Sequence, residues 1–186
     1  MEWVAKLEKK AEAWIGSLKL PKLPATARRW IGENVWWVAA VLAILSGIGV
    51  LFALSGIFSG LAAMTALPGS WVVGAVTGWV VLSSVVSLVF TLADAVLLGM
   101  AVNPLQQKQR KGWDLLFIVL LVGALSIAVN ALVSILTLNP LALIGGIVFG
   151  VLWLAIFAYI LFEIRPEFAH VSKSAGVKAK TSKTKK

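Results

Sequence analysis

Four runs of this sequence are too long and too uniformly apolar to belong to a water-soluble core: 35–59, 71–102, 113–138 and 141–164. Crossing the roughly 30 Å of bilayer hydrocarbon takes about 20 apolar residues of helix. Each run meets that length, and the second is long enough to tilt or to continue into the headgroup layer. None alternates polar and apolar residues with the period of two that a barrel strand needs. Composition agrees. A soluble domain keeps about a quarter of its residues charged, whereas 13% of these 186 are charged and 60% are hydrophobic, with a mean hydropathy of +0.93. The charges crowd into short stretches between and beyond the runs. The expected fold is all-α, with a four-transmembrane-helix bundle over 35–168. An amphipathic segment over 1–34 precedes it, and a disordered lysine-rich tail over 169–186 follows.

The links leave no room for a folded domain between spans. "GLAAMTALPGS" joins the first pair through the turn-favouring Pro68 and Gly69. "NPLQQKQRKG" joins the second pair, with Asn103-Pro104 as the expected helix stop. "LNP" joins the third, which makes the last two helices a tight antiparallel hairpin. All 17 Lys and Arg fall in three places: before residue 30, at Lys108, Arg110 and Lys111, and from Arg165 onward. With four spans these places share one side, and the positive-inside rule makes that side cytoplasmic. Both termini are therefore expected in the cytoplasm of a multi-pass protein of the inner (plasma) membrane. The charged leader is too long for a cleaved signal, and the run after it has full spanning length.

"EWVAKLEKKAEAWIGSLKL" spaces Trp3, Val4, Leu7, Ala11, Trp14, Ile15 and Leu18 by three and four residues along one helical face, with Lys6, Glu8, Lys9, Lys10 and Glu12 on the rest. Trp on the apolar face and Lys on the polar one suit a helix lying among lipid headgroups, with Trp3, Trp14, Lys6, Lys9 and Lys10 as its surface contacts. Packing against the protein's own cytoplasmic loops and docking to a partner helix are the other readings. "LPKLP" interrupts this helix, and "ATARRWIGENVWW" resumes as helix into the first span. Trp30, Trp36, Trp37 and Trp113 are expected to form an inner aromatic belt, with Trp71 at the outer face. In "SKSAGVKAKTSKTKK" each lysine near an anionic leaflet contributes attraction on the order of 1 kcal/mol. No aromatic or arginine reader accompanies those lysines, so no nucleic acid is expected. The expected partner is the bilayer, through anionic headgroups, with a homo-oligomer or a membrane-complex partner left open.

Lipid gives helices no hydrophobic reason to associate, so small residues and polar side chains must hold them together. GxxxG occurs at Gly56 and Gly60, at Gly74 and Gly78, and at Gly146 and Gly150. The first two pairs flank one link and are expected to meet where the first two spans turn. Thr77, Ser84, Ser87, Thr91 and Asp94 form one stripe on the second span; Ser126, Asn130 and Ser134 form another on the third. Ser and Thr can satisfy their own helix carbonyls, whereas Asn130 is expected to seek a neighbouring helix, joining the two stripes in a buried seam. Asp94 is the one acidic residue in mid-run, about 13 Å from the inner end of its helix. It is a structural brace, paired with Lys111 or Arg165 or protonated and hydrogen-bonded, or a coupling or ion-binding group, or a contact for a partner.

The spans contain neither His nor Lys, and the chain has no Cys. That leaves no set for haem, zinc, thiolate or Schiff-base chemistry, and no GxSxG elbow or nucleotide loop occurs. Glu163 and Glu167 around Arg165 in "FEIRPEF" read as an ion-pair stop at the membrane surface. No catalytic residue, cofactor or metal is expected. "NPLQQKQRKGWDLLF" and "AYILFEIRPEF" resemble the basic loop with a Gly-Trp start of a third span, and the aliphatic exit of a fourth, in small four-span bacterial integral membrane proteins. The resemblance covers about 35–168; it implies a compact bundle and brings no activity with it. The small multidrug exporters are similar only in span count, because they carry a glutamate in mid-first helix and this chain has no acid there.

The expected function is a non-enzymatic structural or interaction component of the membrane, its basic cytoplasmic ends contacting anionic lipid or an acidic partner. The alternative is a small oligomeric transporter or channel subunit using Asp94 with Ser84, Ser87, Thr91 and Asn130 along the seam.

Overall fold

The computed structural model describes the backbone of residues 2–17, 21–66, 71–136 and 140–183. Over those residues it contains α1 (Glu2–Ser17), α2 (Ala25–Ala66), α3 (Trp71–Gln106), α4 (Arg110–Leu136) and α5 (Pro140–Lys183). Four stretches are long and apolar enough to cross a membrane: Ala25–Ala66, Val76–Gln106, Arg110–Leu136 and Leu143–Phe168. This is a multi-pass, all-helical membrane protein. The Pro68-Gly69 turn and the "LNP" link lie outside the described residues, as do the side chains of Trp3, Trp14 and Trp71 and every side chain from residue 169 on.

Helix ends depart from expectation in two places. α3 does not stop at Asn103-Pro104 but carries Pro104 within its last turn. It ends instead at Gln106, and the turn that follows closes at Lys108, whose φ of 51° is left-handed. There the Lys108 N–H donates to Leu105 O at 3.0 Å and the Gln109 N–H to Pro104 O at 2.8 Å, the two bonds of a Schellman cap. The cap satisfies the last carbonyls, so the missing proline N–H costs the helix a single bond. α5 likewise carries Pro166 inside it and runs on as helix to Lys183, where the composition predicts a disordered tail from residue 169. Extending a formed helix adds one bond per residue fixed and avoids the cost of nucleation; no proline occurs beyond 166 to stop it.

The chain divides into two compact units, each drawing on several helices. Unit 1 takes in Met1–Ala40, Leu97–Leu120 and Ala155–Lys186. Its core is Trp113, Phe117, Phe168, Leu105, Leu116, Leu161 and Ile164, all fully buried. Trp113 is therefore not part of an aromatic belt: its indole N–H donates to Leu161 O at 2.8 Å, and its ring stacks on Phe117 and meets Phe162 edge-on. Trp30, 62% exposed, and Trp37 do keep open faces. A Cβ on Gly112 would lie 2.8 Å from the backbone N of Leu105, so only glycine lets the start of α4 sit this close to the end of α3.

Unit 2 takes in Val41–Val96 and Leu121–Leu154. Gly49 faces Thr91, Gly56 faces Ser84, and Gly60 faces Val81 and the Thr77 carbonyl. Numbering rises on α2 as it falls on α3, so the two run antiparallel, with Gly49 and Gly56 under hydroxyl-bearing residues. Gly123 against Leu154 and Gly150 against Ile127 give α4 and α5 the same relation. Phe52, at 74% exposure, and Phe58, Phe149 and Trp153 point outward, a surface that suits lipid and not water.

Candidate functional site

The densest polar chemistry among the described residues gathers on α1. Glu8 is buried, 6% exposed, and its Oε1 lies 2.5 Å from both Arg110 Nη2 and Arg165 Nη2. Arg165 also reaches Glu12 Oε2, and Arg110 Nε reaches Asp114 Oδ1 at 3.1 Å. Both guanidiniums stand by the Trp113 ring, 4.8 Å and 5.7 Å from its centroid, within cation–π range. A carboxylate removed from water needs such partners, because desolvation costs it several kcal/mol otherwise. The local part of this arrangement follows from sequence: Arg110, Trp113, Asp114 and Phe117 share one face of α4 at three- and four-residue spacing. Glu8 is 102 residues from Arg110, and nothing in the sequence marks that pairing.

The consequence for α1 is specific. Its carboxylate edge faces the protein, while Leu7, 41% exposed, and Lys6, Lys9 and Lys10 stay open. α1 is thus held against its own chain by Glu8 and Glu12, and Leu7 on the apolar face is left uncovered. The segment after it is tied down too. The Tyr159 hydroxyl donates to Pro21 O at 2.6 Å, and the Leu23 N–H donates to Glu163 Oε2 at 3.2 Å. Glu163 also lies 3.9 Å from Arg28, and Glu167 packs its methylenes over Gly32. The expected ion-pair stop of Arg165 with Glu163 and Glu167 therefore does not form. The three side chains go to three different partners because the continuing helix points them in different directions.

The polar seam divides. Ser84 and Thr91 on α3 lie against Gly56 and Gly49 of α2, and the Thr91 hydroxyl donates to Ser87 O at 2.7 Å and Leu88 O at 3.3 Å, within its own helix. Asn130 is exposed, and its amide donates to Ser126 O at 2.9 Å and Ser126 Oγ at 3.2 Å. No hydrogen bond among the described residues joins it to Asp94, Thr91, Ser87 or Ser84. Ser126, Asn130 and Ser134 instead line an α4–α5 groove with Leu143, Gly146 and Ile147, enclosing about 200 Å³. The reason is steric. The glycines of α2 give the hydroxyls of α3 a close seat, and the α4 stripe turns toward Leu143, Gly146 and Ile147 of α5.

Asp94 is half-buried on α3, and its Oδ1 has no hydrogen-bond partner among the described residues. The expected partner Arg165 is engaged by Glu8 and Glu12, and the Thr91 proton goes to a carbonyl. Of the GxxxG glycines, Gly56, Gly60 and Gly150 make close approaches and Gly78 faces Met64, but at Gly74 and Gly146 a Cβ would meet nothing within 4 Å. Gly32, Gly49 and Gly112, outside any GxxxG pair, do pack. Among the described residues no cluster of three His, Cys, Asp or Glu is placed to hold a metal ion. Compared with known proteins, the sequence matches no family model, and neither a curated protein nor a solved structure matches it.

Proposed function

We propose that this chain is a non-enzymatic interaction component of the bacterial inner membrane, with both termini in the cytoplasm. Its leader helix and lysine-rich C-terminal end bind the anionic leaflet. The observation that carries this reading is the attachment of α1 through Glu8, which leaves Leu7 and the lysines at 6, 9 and 10 uncovered. A helix fixed by one edge to its own spans, with Leu7 and three cations open, is suited to lie flat among headgroups. The sidedness of Lys and Arg supports the cytoplasmic assignment. The transporter alternative is weakened by the separation of Asn130 from the α3 stripe.

The test is the lipid that co-purifies with the full-length protein in mild detergent, measured by mass spectrometry. Anionic phospholipid is expected to be enriched over zwitterionic. The enrichment should fall when Lys6, Lys9 and Lys10 become Gln and residues 172–186 are deleted, and it should fall with added salt. An unchanged lipid ratio refutes the headgroup role. A reporter fusion placing either end in the periplasm refutes the topology.

A further inference from the structure

We propose that the α4–α5 groove seats a second copy of this chain, with Asn130 pairing to Asn130 across a two-fold axis along the membrane normal. Asn130 lies in the membrane-crossing stretch Arg110–Leu136 and is exposed. Its Nδ2 is turned to its own helix, at Ser126 O and Ser126 Oγ, and its Oδ1 accepts no hydrogen bond among the described residues. In water such an oxygen is solvated. Hydrocarbon offers nothing, and the demand is met by another helix. The surroundings permit close approach: Ser126 and Ser134 flank Asn130 one turn away on either side, and Gly146 across the groove leaves open space where a side chain would stand.

The occupant must bring a donor to Oδ1 at one particular depth in the bilayer. A second copy does this automatically, because every copy crosses with the same sidedness and holds Asn130 at the same depth. Any other helix would have to match that depth independently. A carboxamide also carries both donor and acceptor, so two of them are self-complementary, as a two-fold interface requires. On pairing, the longer bond to Ser126 Oγ is the one exchanged: that Nδ2 hydrogen turns to Oδ1 of the other copy.

The chain has no cysteine, so one introduced thiol reports contacts cleanly. Full-length Ser126→Cys protein in phosphatidylcholine–phosphatidylglycerol vesicles is oxidised, with Leu92→Cys, exposed on α3, as the collision control. A disulfide dimer is expected at Ser126 and not at Leu92. Wild-type protein labelled at one terminus should show energy transfer between copies that survives lipid dilution. Adding Asn130→Val should weaken association about tenfold and slow the crosslink, and Asn130→Gln should retain both. Equal crosslinking at Leu92, a wild-type monomer at every dilution, or an association constant unchanged with Val at 130 would each overturn the proposal.

Discussion

Arg165 and Glu8, separated by most of the chain, meet at 2.5 Å beside the fully buried Trp113. The contact converts a leader helix with marginal stability of its own into a fixed part of the protein. A 16-residue helix is near the lower limit of what persists alone in water, so its attachment decides whether it is ordered.

Removing the carboxylate tests that attachment. Glu8→Ala leaves two guanidiniums without their shared oxygen. Cutting a fully buried pair costs about 3–5 kcal/mol. Both arginines here are about a third exposed or less, so water recovers part of that, and a loss of about 1–2 kcal/mol is expected. Thermal unfolding in detergent should shift down, and protease should cut the 17–24 segment faster. Unchanged melting and unchanged cleavage together would show that α1 is held by something else.

The glycines should divide by what lies opposite them. Gly60→Ala puts a methyl 2.6 Å from Val81 Cγ2, and such overpacking costs about 1–3 kcal/mol. Gly74→Ala and Gly146→Ala meet nothing of their own chain within 4 Å and, in a detergent that holds the protein monomeric, should be neutral or gain up to about 1 kcal/mol from helix propensity. Melting temperatures of the three variants are the measurement; a common loss across all three would mean the GxxxG motif acts as a unit after all.

Asp94 should be tolerant. With Oδ1 unpartnered, Asp94→Asn is expected to leave folding and membrane insertion unchanged, and Asp94→Leu to stabilise by about 1 kcal/mol through loss of an unsatisfied polar group. The counter-measurement is transport. A proton- or ion-dependent flux in liposomes that Asp94→Asn abolishes, with folding intact, would favour the transporter reading instead.

Lys108 holds a left-handed backbone, φ 51°, that costs a non-glycine residue about 1–2 kcal/mol. Its ion pair with Glu33 is at 3.4 Å and exposed, where water and salt screen it to little net worth. Lys108→Gly should therefore raise stability by up to about 1 kcal/mol in the same melting assay. A decrease would mean that the Glu33 contact outweighs the strain.

The existence, number and approximate extent of the spans are legible in the chain itself, because the requirement is one-dimensional: a run of about 20 apolar residues either occurs or does not. The spacing of Ser126, Asn130 and Ser134, and of Arg110, Trp113 and Asp114, is legible for the same reason, since residues three and four apart share a helical face. Which helix a face meets is a different matter. Glu8 with Arg110, Tyr159 with Pro21, and Gly56 beneath Ser84 join positions whose neighbours in sequence give no sign of one another. The helix ends at Gln106 and beyond Pro166 also escaped local reading, since a cap or an already formed helix outweighs a single proline. Periodicity says which residues point the same way; only the fold decides what stands opposite, and that pairing is what split the seam and buried Glu8.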